Sequence, residues 1–234
     1  MNLLKSGKNG ALIGDNREMA TSRRAFLSKG YYDSLARELK KEYDLIKNEN
    51  CTAADICCGE GYYTDFISAD AEGEFYGFDI SKEMIRLAAK RKSHARFFVA
   101  NMKSLPLESE SVNAAFHLFA PFCEDEFARI LAHGGRLYSV SPGREHLFGL
   151  KEVLYDTPYE NEESVPDYGR LKLVEQKRVV DTIVLKSNED IYSLFKMTPY
   201  YYHTNKKHKE KLDGIDTLTT RLDFVINIFT KAEE

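Results

Sequence analysis

The 234-residue sequence predicts an α/β chain built on a doubly wound, seven-stranded, mostly parallel sheet that ends in an antiparallel hairpin. Three observations carry that expectation. The first is Ala54-Asp55-Ile56-Cys57-Cys58-Gly59-Glu60-Gly61-Tyr62-Tyr63-Thr64, an apolar run that ends in an acid, turns through small residues and opens a helix. The second is Glu74–Asp79, another strand-like run whose terminal Asp79 falls 24 residues after Asp55. The third is a change of character in the last third, where Leu171–Lys186 and Arg221–Thr230 read as long strands around a short helix near Asp190–Lys196.

The elements follow in order. After a polar, basic arm over residues 1–30, Tyr32–Ile46 reads as a helix with Leu35, Leu39, Leu45 and Ile46 on its apolar side. Strand one is Thr52–Cys57, and a helix starts at Tyr62. Ser81 reads as the N-cap of a helix over Lys82–Lys92, with Glu83 in its first turn. Strand three is Ala95–Ala100 and strand four Val112–Leu118. A helix over Glu124–Ala132 is ended by His133-Gly134-Gly135 before strand five, Arg136–Ser141. Residues 31–234 are expected to form the main domain, with 144–211 as an insertion or lid on its substrate side.

Composition narrows the classes. With 43% hydrophobic and 12% aromatic residues the chain is globular rather than disordered. It carries no apolar run long enough to cross a bilayer and no secretory signal at its start. Cys51, Cys57, Cys58 and Cys123 form no C-x-x-C pair, which points away from a metal site and toward a reducing, cytoplasmic compartment. The net charge is −4, yet it is unevenly spread. Residues 1–30 hold Lys5, Lys8, Arg17, Arg23, Arg24 and Lys29, residues 196–211 hold five lysines, and residues 156–167 are acidic. Such runs are ordinarily solvated faces; two basic segments flanking an acidic body also suit a phosphate-bearing partner.

Candidate ligand residues fall at the carboxyl ends of the strands, where open α/β sheets bind. Asp79 is placed to accept both ribose hydroxyls of a nucleoside, with Ile80 beside it. Cys57, Gly59, Glu60 and Gly61 shape the turn after Asp55. A dinucleotide turn needs a glycine where Cys57 stands, and Glu60 opposes a pyrophosphate, so the pattern favours S-adenosylmethionine (SAM), with its cationic amino group and sulfonium, over NAD. After strand three, Asn101 is a candidate for the adenine amino group, or the cap of its own turn, and Met102 for an apolar face. After strand four, Phe122 is a candidate to stack on a target base, or an ordinary packing residue. His117 is a substrate neighbour or a buried core histidine. After strand five, the Pro142-Gly143 turn is expected to put Arg144 and His146 at a helix start facing the same crevice, with His146 toward the methionine part of the cofactor or the incoming base. Phe122, His117 and Glu145 are the catalytic candidates by location.

The motif around Gly59 resembles the first motif of class I SAM-dependent methyltransferases. A narrower likeness is carried by Ser22-Arg23-Arg24-Ala25-Phe26-Leu27, Gly30-Tyr31-Tyr32, Cys58–Thr64, Gly77-Phe78-Asp79-Ile80-Ser81-Lys82 and Ala120-Pro121. It continues through Ser141-Pro142-Gly143, His146-Leu147, Leu150-Lys151, Met197-Thr198-Pro199-Tyr200, Thr220 and Asp223-Phe224. These resemble the 23S rRNA (guanine-N1)-methyltransferases, the RlmA/RrmA family, over nearly the whole chain. The resemblance implies SAM as cofactor, S-adenosylhomocysteine as product, and methylation of a guanine ring nitrogen in rRNA. It places cofactor contacts on Tyr32, Gly59, Glu60 and His146, with Asp79 at the ribose. Members usually begin with a four-ligand zinc module, and Met1-Asn2-Leu3-Leu4 aligns just after it. Without that module, Arg23, Arg24, Arg144, Lys206 and Lys207 are the expected contacts to rRNA.

Two other readings stay open: a SAM-dependent methyltransferase of small molecules, and a SAM-binding protein without transfer. A homodimer is also left open by the sequence.

Overall fold

A computed structural model describes residues 1, 17–164 and 167–232. The expected basic arm falls partly outside them, including Lys5 and Lys8. What is described of that arm is mostly helical: α1 spans Arg17–Leu27.

Seven strands form one sheet, β1 Thr52–Ile56, β2 Glu74–Asp79, β3 Arg96–Val99, β4 Val112–Leu118, β5 Leu131–Pro142, β6 Leu171–Leu185 and β7 Leu218–Lys231. Their order is β3-β2-β1-β4-β5-β7-β6. The first five run parallel, and β7 is antiparallel to both β5 and β6. The doubly wound sheet with its C-terminal antiparallel pair is therefore present. The order steps outward from β1 in both directions, which opens a crevice at the carboxyl ends of β1 and β4.

The central strands are apolar on both sides because both faces are covered. One face packs α2 (Asp33–Asp44) through Leu35, Leu39 and Tyr43, four residues apart, with α3 (Tyr62–Ile67), α6 (Phe148–Leu154) and α7 (Asn188–Lys196). The other packs α5 (Glu124–Ile130) through Phe127 onto Ala115 and Leu137. Helix α4 (Lys82–Ala88) is capped by Ser81, whose Oγ accepts the Met84 N–H at 3.3 Å.

One boundary differs from expectation. The chain leaves α5 at Ile130 and becomes extended at Leu131, which pairs with Val112. Gly134, at φ +75°, and Gly135 kink β5 where its register with β4 shifts. A Cβ on Gly135 would lie 2.7 Å from the Val112 carbonyl. The glycines thus serve a bulge inside a strand, not the end of a helix.

The span 144–211 contains β6, an integral strand. Its parts that face the crevice are His146 and Leu147, the loop near Asn161 and Ser164, Tyr168, residues 197–200 and Tyr202.

Candidate functional site

A crevice of about 890 Å³ opens over the carboxyl ends of β1, β2, β4 and β5. Its floor is the turn after β1. Cys57 (φ +63°), Gly59 (φ +56°) and Gly61 (φ +82°) all adopt left-handed backbone. Cys57 does so with a side chain, an uncommon conformation outside glycine, and its Sγ contacts Met102 Sδ at 3.6 Å. Gly61 is not in the crevice wall. A Cβ there would sit 2.8 Å from Ala88 Cβ, so its bareness lets α4 pack against the turn.

The three acids near the turn have different fates. Asp79 accepts the Gly59 N–H at 3.0 Å and the Ser81 N–H at 2.8 Å, which fixes its carboxylate at the crevice edge beside Ile80. Asp55 is buried and accepts the Thr64 hydroxyl at 2.5 Å; burial pushes its pKa up to about 7. Glu60 is also buried, with its carboxylate clamped by the Arg91 guanidinium through contacts of 2.6–3.0 Å. The expected repulsion of a phosphate by Glu60 is therefore neutralised by Arg91.

His146 and Tyr32 form an ordered pair. The Asp223 backbone N–H donates to His146 Nδ1 at 3.3 Å, so the ring proton sits on Nε2, 3.4 Å from Tyr32 Oη. Tyr32 accepts there and keeps its own hydroxyl proton as a donor. Burial drives the His146 pKa down to about 3, which holds the imidazole neutral. Both side chains line the crevice.

Toward β4 the wall turns aromatic. Phe119 has φ +56°, lines the crevice and is 44% exposed, while its N–H is pinned to the Val140 carbonyl at 3.0 Å. A bulky residue held in left-handed backbone with its ring exposed is strain of the kind that gathers at ligand sites. Phe122 also lines the crevice, but one face of its ring is stacked on Tyr168 at 4.3 Å and its edges meet Phe127. Below them, His117, Ser139 and Asn227 stand in register across β4, β5 and β7 and all line the crevice. His117 Nε2 donates to the Pro121 carbonyl at 3.1 Å, which leaves Nδ1 as a buried acceptor with no partner. Its pKa is lowered to about 4 by burial.

Other expected residues lie elsewhere. Asn101 turns its Oδ1 back to the Lys103 N–H at 3.0 Å, and neither Asn101 nor Met102 lines the crevice. The turn-capping alternative is what the geometry displays. Glu145 points away, with Oε2 3.3 Å from Arg221, and is not in the wall. Arg144 pairs with Glu160 at 3.3 Å on the surface. Arg24 donates to the Leu87 carbonyl at 2.9 Å and so fastens α1 to α4. Arg23, by contrast, faces inward and lines the crevice with Met19 and Leu27. Lys206 and Lys207 are exposed, while Lys211 pairs with Asp156 at 2.6 Å, so acidic and basic runs partly cancel.

The sequence reading missed Tyr63, Phe119 and the inward face of α1. The signal for the last was present as Met19, Arg23 and Leu27, four residues apart. Among the described residues no cluster of His, Cys, Asp or Glu is placed to hold a metal, and no helix is long and apolar enough to cross a membrane.

Comparisons with known proteins point to the same fold. A methyltransferase-domain family model matches residues 53–137. A Streptomyces fradiae 23S rRNA (guanine(748)-N(1))-methyltransferase is 32% identical over 149 residues, covering 61% of this chain. The chain spans about half the length of that relative (52%). A Bacillus subtilis (strain 168) protein, provisionally named a 23S rRNA (guanine-N(1)-)-methyltransferase, is 25% identical over 213 residues, or 85% of this chain and 75% of its own. Among solved structures, geranyl diphosphate C-methyltransferase from Streptomyces coelicolor A3(2), in complex with S-adenosyl-L-homocysteine, superposes with a TM-score of 0.54. It is 15% identical and covers 86% of this chain and 76% of its own, a likeness of fold alone.

Proposed function

We propose that this class I methyltransferase, with SAM as its cofactor, methylates a guanine ring nitrogen in 23S rRNA, N1 by likeness to its relatives. The observation that carries the reading is one continuous crevice with a nucleoside end at Asp79 and an aromatic end at Phe119. The rRNA part draws its support from the names of the Streptomyces and Bacillus relatives.

The residues fit the cofactor. Asp79 is held rigidly where ribose hydroxyls are bound in βαβ folds. Gly59 leaves room for close backbone approach, and the buried Tyr63 hydroxyl has no partner within the protein. When bound, SAM supplies an electrophilic methyl on a sulfonium, so the protein's task is alignment of donor and acceptor.

On the acceptor side, Phe119 offers a ring for an unstacked base, an interaction worth ~1–3 kcal/mol. The row beneath it offers Asn227 as a donor and His117 Nδ1 as an acceptor. Guanine presents the complement, an O6 acceptor beside N1–H and N2–H donors. With a pKa of about 4, His117 accepts a hydrogen bond from the base but does not retain its proton at neutral pH. The N1 proton therefore leaves to solvent.

Transfer of label from radiolabelled SAM tests the reading. Unmodified 23S rRNA fragments are compared with an RNA-free metabolite extract. Label confined to guanine in RNA is expected. Label in the small-molecule fraction alone refutes the rRNA assignment.

A further inference from the structure

We propose that Gln176, which lies outside the crevice wall, sets which base the acceptor end takes, by fixing the amide of Asn227 as a hydrogen-bond donor toward O6 of guanine. This rests on the acceptor being a guanine, and it makes Gln176 a positioning residue that acts through Asn227.

The register of β6 leads to this residue. Ala115, Leu137, Phe229 and Leu173 stand opposite one another across β4, β5, β7 and β6 and form an apolar row. The next row on that face is polar throughout: His117, Ser139, Asn227 and Gln176. Simple alternation from Leu173 would place Glu175 in it. A bulge between Leu173 and Glu175 shifts the pairing by one residue, so that Gln176 meets Asn227 and Glu175 meets Ile228. The shift replaces an acceptor-only carboxylate with an amide that can donate. Gln176 Nε2 donates to Asn227 Oδ1 at 2.8 Å.

An amide holds its oxygen and its nitrogen on opposite sides of one carbon. With Oδ1 drawn toward β6, Asn227 turns Nδ2 the other way, toward β5 and the crevice it lines. Two strands and about 10 Å of backbone away, at the far end of the row, stands His117. Its Nδ1 is a buried acceptor with no partner, since Nε2 is committed to the Pro121 carbonyl. Ser139, between them, is small and lines the crevice too. The row thus shows one donor and one acceptor, with space between for the edge of one ring. Guanine meets it with O6 at Asn227 and N2–H at His117. Adenine presents the N6 amino donor where O6 would be, which leaves two donors opposed and unpaired.

Methyl transfer to a 23S rRNA hairpin is compared with transfer to the same hairpin carrying 6-thioguanosine at the guanine that takes label in the wild type. Sulfur accepts hydrogen bonds weakly, so the wild type is expected to use the thio substrate about tenfold less well in kcat/KM. Gln176→Glu puts an acceptor opposite Asn227 and turns its amide round. It is expected to lower kcat/KM for guanine about 10- to 100-fold and to abolish the preference for oxygen over sulfur. S-adenosylhomocysteine affinity and thermal melting are expected to stay as in the wild type. Gln176→Lys keeps a donor at this position and is expected to remain within about threefold of the wild type on both substrates. Gln176 is exposed, so both variants are expected to fold. Glu and Lys variants that behave alike, or an oxygen preference unchanged in Gln176→Glu, overturn the assignment. A wild type that labels no guanine in RNA removes the functional reading instead, and this inference with it.

Discussion

Gly143 is the point where a single methyl group should disturb both stability and site. Its conformation is open to any residue, but a Cβ there would lie 2.4–2.7 Å from the carboxylate atoms of Asp223. That carboxylate cannot retreat. It is fully buried, holds Arg178 at 2.6 and 2.7 Å, and accepts the Glu145 N–H at 3.0 Å. The backbones are also joined, by Gly143 N–H to the Asp223 carbonyl at 2.7 Å. Gly143→Ala must therefore break the carboxylate's contacts or part β5 from β7. Hydrogen bonds to charged groups contribute about 1.5–3 kcal/mol each. Arg178 is nearly half exposed, so its share is screened, and the expected loss is about 2–4 kcal/mol. Urea unfolding of a double-mutant cycle with Asp223→Ala isolates the clash. In the Asp223→Ala background the methyl group should be nearly free, within about 1 kcal/mol, so that the coupling is at least about 1 kcal/mol. Because the Asp223 N–H orients His146, S-adenosylhomocysteine affinity should fall with Gly143→Ala as well. Additive costs, with no coupling, would refute the steric argument.

Further outcomes follow from the site. His117 and His146 have folded pKa values of about 4 and 3, so the unfolded chain takes up protons the native chain refuses, and their contribution to stability is lost as pH falls below about 6.5. Asp55, raised to about 7, acts oppositely: its contribution is greatest at acid pH and declines as pH rises toward 7. From these groups the wild type should lose only about 1.5 kcal/mol between pH 7 and pH 5, and Asp55→Asn about 4 kcal/mol, measured by urea unfolding at both pH values. Equal losses would show that Asp55 ionises normally. Phe119→Ala should raise KM for RNA about 5- to 100-fold with S-adenosylhomocysteine affinity intact, whereas Phe122→Ala should chiefly lower stability, because its ring is stacked on Tyr168; filter binding and thermal melts tell the two apart. Buried Lys151 donates to the Tyr159 carbonyl at 2.9 Å and Asn161 Oδ1 at 2.7 Å. Lys151→Met should leave global stability within about 1 kcal/mol, as removal of a buried charge offsets the lost bonds, yet speed amide exchange at Asn161 about tenfold.

The start of the sheet was legible because its first two strands carry an acid at or next to their carboxyl ends. Asp55 is the penultimate residue of β1, Asp79 closes β2, and Ser81 caps the next helix. Where local signals conflicted with pairing, pairing won. His133-Gly134-Gly135 has the composition of a helix stop, but the partner strand at Val112 draws Leu131 into β5. The Asp79 side of the crevice was readable for the same reason, since its residues sit at strand ends. The α1 wall was not, since residues 17–27 meet α4 and α7 through contacts distant in sequence, such as Arg24 with Leu87 and Glu18 with Lys196. Arg23 and Arg24 are adjacent and alike in type. Helical geometry sends one guanidinium into the crevice and the other to a carbonyl of α4, a difference that composition cannot express.

The place of β7 in the sheet has a consequence for synthesis. Residues 218–231 follow every other strand in the chain, yet they lie between β5 and β6. Until they leave the ribosome, the outer edge of β5 has no neighbour and β6 has nothing to join. The same strand brings Asn227 and Phe229 to the crevice, and Asp223 to His146. A nascent chain halted before residue 218 thus carries the whole Cys57–Gly61 turn but an unset His146 and a bare sheet edge. Cofactor competence and protection from edge-to-edge aggregation arrive together, with the final strand.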